Sequence, residues 1–185
     1  NEIKQLEVYR SLNRSHAIDL VSTFLGAHIV APEYRENRSA YVDLLCATLL
    51  PRVASEGLAE FCDAFVEEGA YTVDEASRIF SSAQKLGLRI KLHADQLSNG
   101  GGAALAANFG AISAEHLEYA DDDGIQALAS AGTVAVSLPL IEARMRARRP
   151  DYEQVRRETS MLIPWFPRPR AGPTRPPTRR CSGPR

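Results

Sequence analysis

Cysteine is scarce in this chain of 185 residues: Cys46, Cys62 and Cys181 are all there is, and none forms a C-x-x-C pair. An odd count without paired spacing fits a reduced, intracellular, cytoplasmic compartment better than a disulfide framework. Long apolar runs are missing too. The best stretch is broken by Asp19 and His28, short of the roughly 18 residues a membrane helix needs. No charged leader with an apolar segment behind it opens the chain, so no secretory signal is read. An initiating Met is also lacking. Asn1-Glu2-Ile3-Lys4-Gln5-Leu6 already reads as the middle of a helix, with Ile3, Leu6, Val8, Tyr9 and Leu12 as its apolar positions, and predicts an internal piece of a longer protein.

Several catalytic signatures are absent as well. There is no G-x-S-x-G nucleophile elbow, and neither Cys46 nor Cys62 lies in a nucleophile motif. The glycine run Gly100-Gly101-Gly102 lacks the Lys-Ser/Thr of a phosphate loop and the G-x-G-x-x-G spacing of a dinucleotide site. A net charge of −1 gives no bulk attraction to nucleic acid or membrane. That sum hides an asymmetry: residues 142–185 hold twelve Arg, no Lys and four acids, a net +8, so the rest carries −9.

What is present is ordinary globular composition, 44% hydrophobic and 24% charged, enough for one domain with a core. Apolar, β-branched runs predict buried strands near 21–28, 60–66, 88–93, 112–118 and 133–138. Between them lie helical patterns. Residues 39–57 place Tyr41, Leu44, Leu45, Leu49 and Val53 on one face, with Pro51 expected to kink or restart the helix. Thr72-Val73-Asp74-Glu75 is a capping box, and Gly87 suits the end of the helix it opens. An Ala-rich helix ends at Gly110, and Asp121 caps another that ends at Gly132. Strands alternating with helices at this spacing imply a parallel α/β sheet, barrel or doubly wound.

Three of the four histidines, His28, His93 and His116, fall at or near the C-terminal ends of predicted strands. In parallel α/β folds sites are built along that edge. One such histidine is as readily a hydrogen-bonded structural residue. Three on one rim point to a site, because imidazole is a common metal ligand and titrates near neutrality. The richest context is Lys91-Leu92-His93-Ala94-Asp95-Gln96, with the glycine run behind it; there Asp95 is expected to orient a ligating imidazole. Asp63, Glu67 and Glu68 read as a solvated loop, and Asp121-Asp122-Asp123 as helix-capping charge.

Together these segments resemble the imidazolonepropionase family of the amidohydrolase superfamily. The residues that carry the likeness are Ser22-Thr23-Phe24-Leu25-Gly26-Ala27-His28 with Pro32-Glu33-Tyr34, Tyr41-Val42-Asp43-Leu44 through Leu50-Pro51, Glu67-Glu68-Gly69-Ala70-Tyr71, His93-Ala94-Asp95-Gln96-Leu97-Ser98-Asn99 and His116-Leu117-Glu118-Tyr119. They span about residues 1–138. The resemblance implies a partial (β/α)₈ barrel of about five βα units. It implies hydrolysis of the cyclic amide 4-imidazolone-5-propanoate to N-formimidoyl-L-glutamate, with one zinc or iron ion to activate water. It also implies a homodimer for the complete enzyme. By resemblance His93 is a metal ligand, His28 and Gln96 contact the substrate, and His116 transfers a proton or holds the attacked carbonyl. Gln96 stands where some members carry Glu, which closes a general-base role there. The family's H-x-H pair would precede Asn1 and its metal-binding Asp would follow the point of divergence near Ser137, so the metal site is expected to be incomplete in this chain and the chain inactive.

Two domains follow: a barrel segment over 1–140 and an Arg/Pro-rich tail over 141–185. Residues 142–185 hold eight of the eleven prolines and are expected to form no packed core. Arg, Pro, Ala and Gly share GC-rich codons, which favours an out-of-frame reading over a basic interaction tail with Pro164-x-x-Pro167 and Pro173-x-x-Pro176 as polyproline ligands. The rival to the enzyme is a non-catalytic βα scaffold carrying such a tail.

Overall fold

The computed structural model describes residues 2–137 and Ala147. The readings of residues 142–185 as a tail without a core lie, Ala147 apart, outside the described residues.

Five strands form one sheet: β1 (Thr23–Ala27), β2 (Phe61–Val66), β3 (Arg89–Ala94), β4 (Ser113–His116) and β5 (Val134–Val136). Each pairs in parallel with the next, in the order β1-β2-β3-β4-β5. All five predicted strands are present; each starts one or two residues later than predicted, β1, β4 and β5 end one or two residues early, and β3 ends one residue late. A doubly wound sheet reverses its strand order at a switch point, and this one does not. Right-handed crossovers that always step the same way place every connecting helix on the same face. That face holds Cys62, Ala64, Val66, Ile90, Leu92, Ala94 and Ala114, all buried. The helices that cover it are α4 (Val73–Lys85), α5 (Gly102–Asn108) and α6 (Asp122–Ala131), contributing Ala76, Ile79, Phe80, Ala83, Ala103, Ala106 and Leu128 to the core. The opposite face carries polar and charged side chains. Arg89 and Lys91 lie 4.0 and 4.5 Å from the ring centre of Phe61.

The helix ends follow their local signals. Thr72 and Glu75 form the reciprocal capping box, and Gly87 (φ 83°) takes the left-handed position after α4. Asp121 accepts from the Gly124 amide at the start of α6. α1 (Glu2–Ser15) buries Ile3 and Leu6 against the same core.

The region of Pro51 differs from expectation in phase. α2 (Arg38–Leu44) passes through a π turn at Leu45–Leu49 into α3 (Leu50–Ser55), which has Pro51 in its first turn. The Leu50 amide bonds to the Leu45 carbonyl, five residues back. Pro has no amide to donate and its ring crowds the carbonyl four residues earlier, so the turn widens. The extra residue moves Leu50, rather than Leu49, beneath Leu45. The fully buried positions become Val42, Leu45, Leu50 and Val53, Leu49 packs at the margin of the core, and Leu44 is half-buried.

α2 and α4 are joined at their first turns. Arg38 donates from Nε and Nη2 to Glu75 at 3.2 and 2.8 Å and from Nη2 to the Ala70 carbonyl at 2.6 Å. Burial opposes the charge on Glu75, but the hydrogen bond and charge of Arg38, with the Thr72 amide, hold its carboxyl below the ordinary 4.5. A carboxyl depressed in the folded state stabilises above its unfolded pKa, and that contribution is lost as pH falls through the folded value. Glu75→Gln should therefore lower the melting temperature at neutral pH by an amount worth about 1 kcal/mol, after allowance for the partly exposed guanidinium. As pH falls below 4.5 and through the depressed folded value the two melting curves should converge; a gap that persists at still lower pH would rule out the charge as its source.

Candidate active site at the C-terminal edge of the sheet

Parallel register places residues on adjacent strands side by side. Phe65 on β2 pairs with His93 on β3, and His93 with Glu115 on β4. His28 follows the last residue of β1, where Ala27 pairs with Ala64, and so joins the same row. Its ring centre lies 6.2 Å from that of Phe65 and 4.7 Å from that of His93. One layer deeper on the same face sits Asp63, beside Lys91.

His116 reaches the group by a different route. In the register it lies beside Ala94, whose side chain points into the helix-covered core. Strict alternation would bury His116 there. Its backbone is left-handed instead (φ 78°), as is that of Leu117 (φ 67°). Rotation about the N–Cα bond turns the side chain out of the alternation, and its ring centre comes to 5.3 Å from that of His93. Two consecutive non-glycine residues with positive φ are costly, and such backbone concentrates at functional sites.

Asp63 is the hub. It is 2% exposed, and its carboxylate lies 3.1 Å from His93 Nδ1 and 3.4 Å from His28 Nε2. Burial alone would push its carboxyl up; the two imidazoles outweigh that and hold it below the ordinary range. For His93, burial lowers the pKa, but Asp63, followed by Glu115, reverses the balance and raises it. His116 is pushed down, first by burial and then by the charge of His93. It is therefore neutral near pH 7, the state in which an imidazole can accept a proton. Burial raises Glu115, whose Oε1 accepts from Ser113 Oγ at 2.6 Å. Several polar atoms here are buried without a hydrogen bond: His116 Nδ1, Glu115 Oε2 and, by angle rather than distance, His28 Nε2.

Those atoms and the donor chemistry suit a metal ion. His28, Asp63 and His93 each offer a ligand atom, all within 4.8 Å of one another. Imidazole with carboxylate suits a borderline divalent ion rather than a hard one. The Cys62 thiol is no candidate, since it is buried under the helices and burial pushes its pKa far up.

The structure thus brings His28, His93 and His116 together. Gln96 lies apart from these contacts, half-buried in the loop that leaves β3. Two acidic residues read as solvated loop are not. Asp63 belongs to β2, and Glu67 is 6% exposed. Glu67 accepts from the amides of Leu97 and Ser98 at 2.7 and 3.3 Å and from the Ser98 hydroxyl, pinning the loop that carries Gln96. Glu68 is exposed, as expected. Asp95 does not orient an imidazole. It accepts from the amides of Gly100, Gly102 and Ala103 at 2.9, 3.1 and 2.8 Å and so holds the start of α5. The glycine run serves packing: a Cβ on Gly102 would come within 2.7 Å of the Ala94 Cβ. A signal for Asp63 was available, a lone carboxylate inside the apolar strand Phe61-Cys62-Asp63-Ala64-Phe65-Val66.

No family model matches the chain. Among curated proteins it is 56% identical over 140 residues to the imidazolonepropionase of Symbiobacterium thermophilum, covering 75% of this chain and 33% of that protein. The enzymes of that name from Cupriavidus taiwanensis and Shouchella clausii are 50% and 49% identical, again over 75% of this chain and over 33% and 31% of theirs. The chain thus spans about one third of the length of the curated relatives it matches. Among solved structures, a guanine deaminase from C. acetobutylicum aligns with a TM-score of 0.58 at 12% identity, over 88% of this chain and 43% of its own. A Xaa-Pro dipeptidase aligns with a TM-score of 0.50 at 16% identity, over 74% of this chain and 40% of its own. At such identities the likeness is one of fold. Among the described residues no helix is long and apolar enough to cross a membrane.

Proposed function

We propose that this chain, an imidazolonepropionase segment by its sequence likeness, carries part of the active site of a metal-dependent cyclic-amide hydrolase of histidine breakdown. The five strands are an arc of a (β/α)₈ barrel over residues 1–140, followed by the Arg/Pro-rich tail of 141–185. The reaction is 4-imidazolone-5-propanoate plus water to N-formimidoyl-L-glutamate. The observation that supports this reading best is the meeting of His28, His93 and His116 at the edge where the parallel strands end.

His93 holds the ion, zinc or iron, which when bound supplies Lewis acidity and a water made acidic enough to react near neutral pH. His28 and Gln96 bind and orient the substrate. His116, neutral and with Nδ1 free of a hydrogen bond, moves the proton. Glu67 keeps the Gln96 loop in place. A cytoplasmic homodimer completes the reading.

The test compares two proteins. One is the 185-residue chain alone. The other is a chimera in which the matched residues replace their counterparts in the 56%-identical relative. The chimera should hydrolyse 4-imidazolone-5-propanoate. The chain alone should give no measurable turnover with zinc or iron added, because His93 is the one metal ligand the resemblance carries over, and a hydrolytic ion takes about three protein ligands with a position left open. A folded chimera that binds metal and leaves this substrate untouched would overturn the proposal.

A further inference from the structure

We propose that Asp63 is a positioning residue that sets the tautomers of two imidazoles at once, His93 as Nδ1–H and His28 as Nε2–H. The inference rests on the reading above of His93 as a metal ligand. Its test does not depend on turnover.

The geometry has three parts. First, Asp63 faces His93 through Nδ1, at 3.1 Å, and His28 through Nε2, at 3.4 Å. Second, the carboxylate is 2% exposed, so water cannot stand in for either partner. Third, it sits one residue pair deeper on the shared face than the row formed by Phe65 and His93, below the two rings it serves. A buried carboxylate is acceptor-only, so each nitrogen turned to it must carry a proton. In a neutral imidazole the other nitrogen is then bare. For His93 the bare atom is Nε2, the one not engaged by Asp63. For His28 it is Nδ1.

Two consequences follow. His93 presents a lone pair for a metal ion from a ring whose orientation is fixed before the ion arrives, the arrangement in which an outer carboxylate raises the basicity of a ligating histidine. His28 offers a ligand an acceptor rather than a donor, so the group it recognises is an N–H or O–H, such as a ring N–H of a cyclic amide. The three residues lie on or just after three successive strands, so one carboxylate couples the metal-holding and substrate-holding positions.

The competing assignment makes Asp63 a metal ligand beside the two histidines, since all three atoms lie within 4.8 Å. Tautomers separate the two. Free histidine favours Nε2–H, so Nδ1–H at His93 is an inverted tautomer that needs a cause. In the nitrogen-15-labelled chain, without metal and at a pH high enough that the His93 ring carries a single proton in the same spectra, long-range proton–nitrogen correlations should show His93 as Nδ1–H and His28 as Nε2–H. Wild-type protein with His93 as Nε2–H would overturn the proposal, with no variant needed. In Asp63→Asn the His93 signals should move towards a mixture of tautomers while backbone amide shifts elsewhere stay put. Unchanged tautomers in that folded variant would also overturn it. In the chimera, zinc affinity should fall about 10–100-fold in Asp63→Asn, whereas complete loss of zinc with the tautomers intact would make Asp63 a ligand. Failure of the chimera to hydrolyse its substrate would count against the proposed function and leave the tautomer result standing.

Discussion

His93→Ala, introduced into the chimera, is expected to remove metal and hydrolysis together. A ligand lost from the end of β3 has no ready substitute among its register neighbours, Phe65 and Glu115, since the first is apolar and the second is pushed up by burial and already accepts from Ser113 Oγ. With the ion gone, its stabilisation of developing charge goes too. Several kcal/mol of barrier correspond to a loss on the order of 10³-fold or more. A second effect travels with it. Asp63 loses the partner at 3.1 Å and keeps only His28 at 3.4 Å, so a buried carboxylate is left under-satisfied at about 1–3 kcal/mol. Metal content must therefore be measured per folded protein, beside a melting curve. Stoichiometric metal and a normal rate in this variant would remove the rim as the hydrolytic site.

His116→Ala should separate what His93→Ala joins. The metal should stay at wild-type stoichiometry while turnover falls about 10²–10⁴-fold, the usual worth of a positioned proton-transfer group. The structural cost should be smaller than at His93. Among the described residues Nδ1 of His116 makes no hydrogen bond, and the Glu118 carboxylate stands 3.8 Å from it, so truncation breaks no short hydrogen bond there. Ala must still take the left-handed backbone at φ 78°, which costs roughly 1–2 kcal/mol for any residue with a Cβ and is present already in the wild type. Parallel loss of metal and rate would instead make His116 a ligand. Full retention of rate would leave its strained backbone without a catalytic reason.

Much of the fold was legible because its signals act between near neighbours. The Thr72–Glu75 box, Gly87 at the end of α4 and Asp121 at the start of α6 each involve partners within a few residues, and each stands where the pattern put it. The strands were legible from apolar runs, and three histidines from their places at strand ends. Pro51 signalled a break. How the break is absorbed depends on the packing of Leu45 and Leu50 against the core, and that moved the buried face by a residue.

What the tertiary structure decided lies about one βα unit away along the chain. Asp63 meets His93, and Glu67 meets the Leu97 amide, at separations of 30 residues, the distance from one parallel strand to the next. Read alone, a carboxylate just past the end of a strand, as Glu67 is, is indistinguishable from solvated charge; whether it is buried depends on the neighbouring loop. Asp95 shows the converse, sitting beside His93 in sequence yet spent on the amides at the start of α5, because left-handed backbone at φ 49° turns it there. His116 joins the site for the same kind of reason, a positive φ that alternation cannot foresee. The periodicity of the chain determined a parallel α/β sheet and which strand ends carry imidazole. Only the folded sheet, by running its strands in unbroken order and stacking their registers, decided that the helices share one face and that a single buried carboxylate faces two of those imidazoles at 3.1 and 3.4 Å.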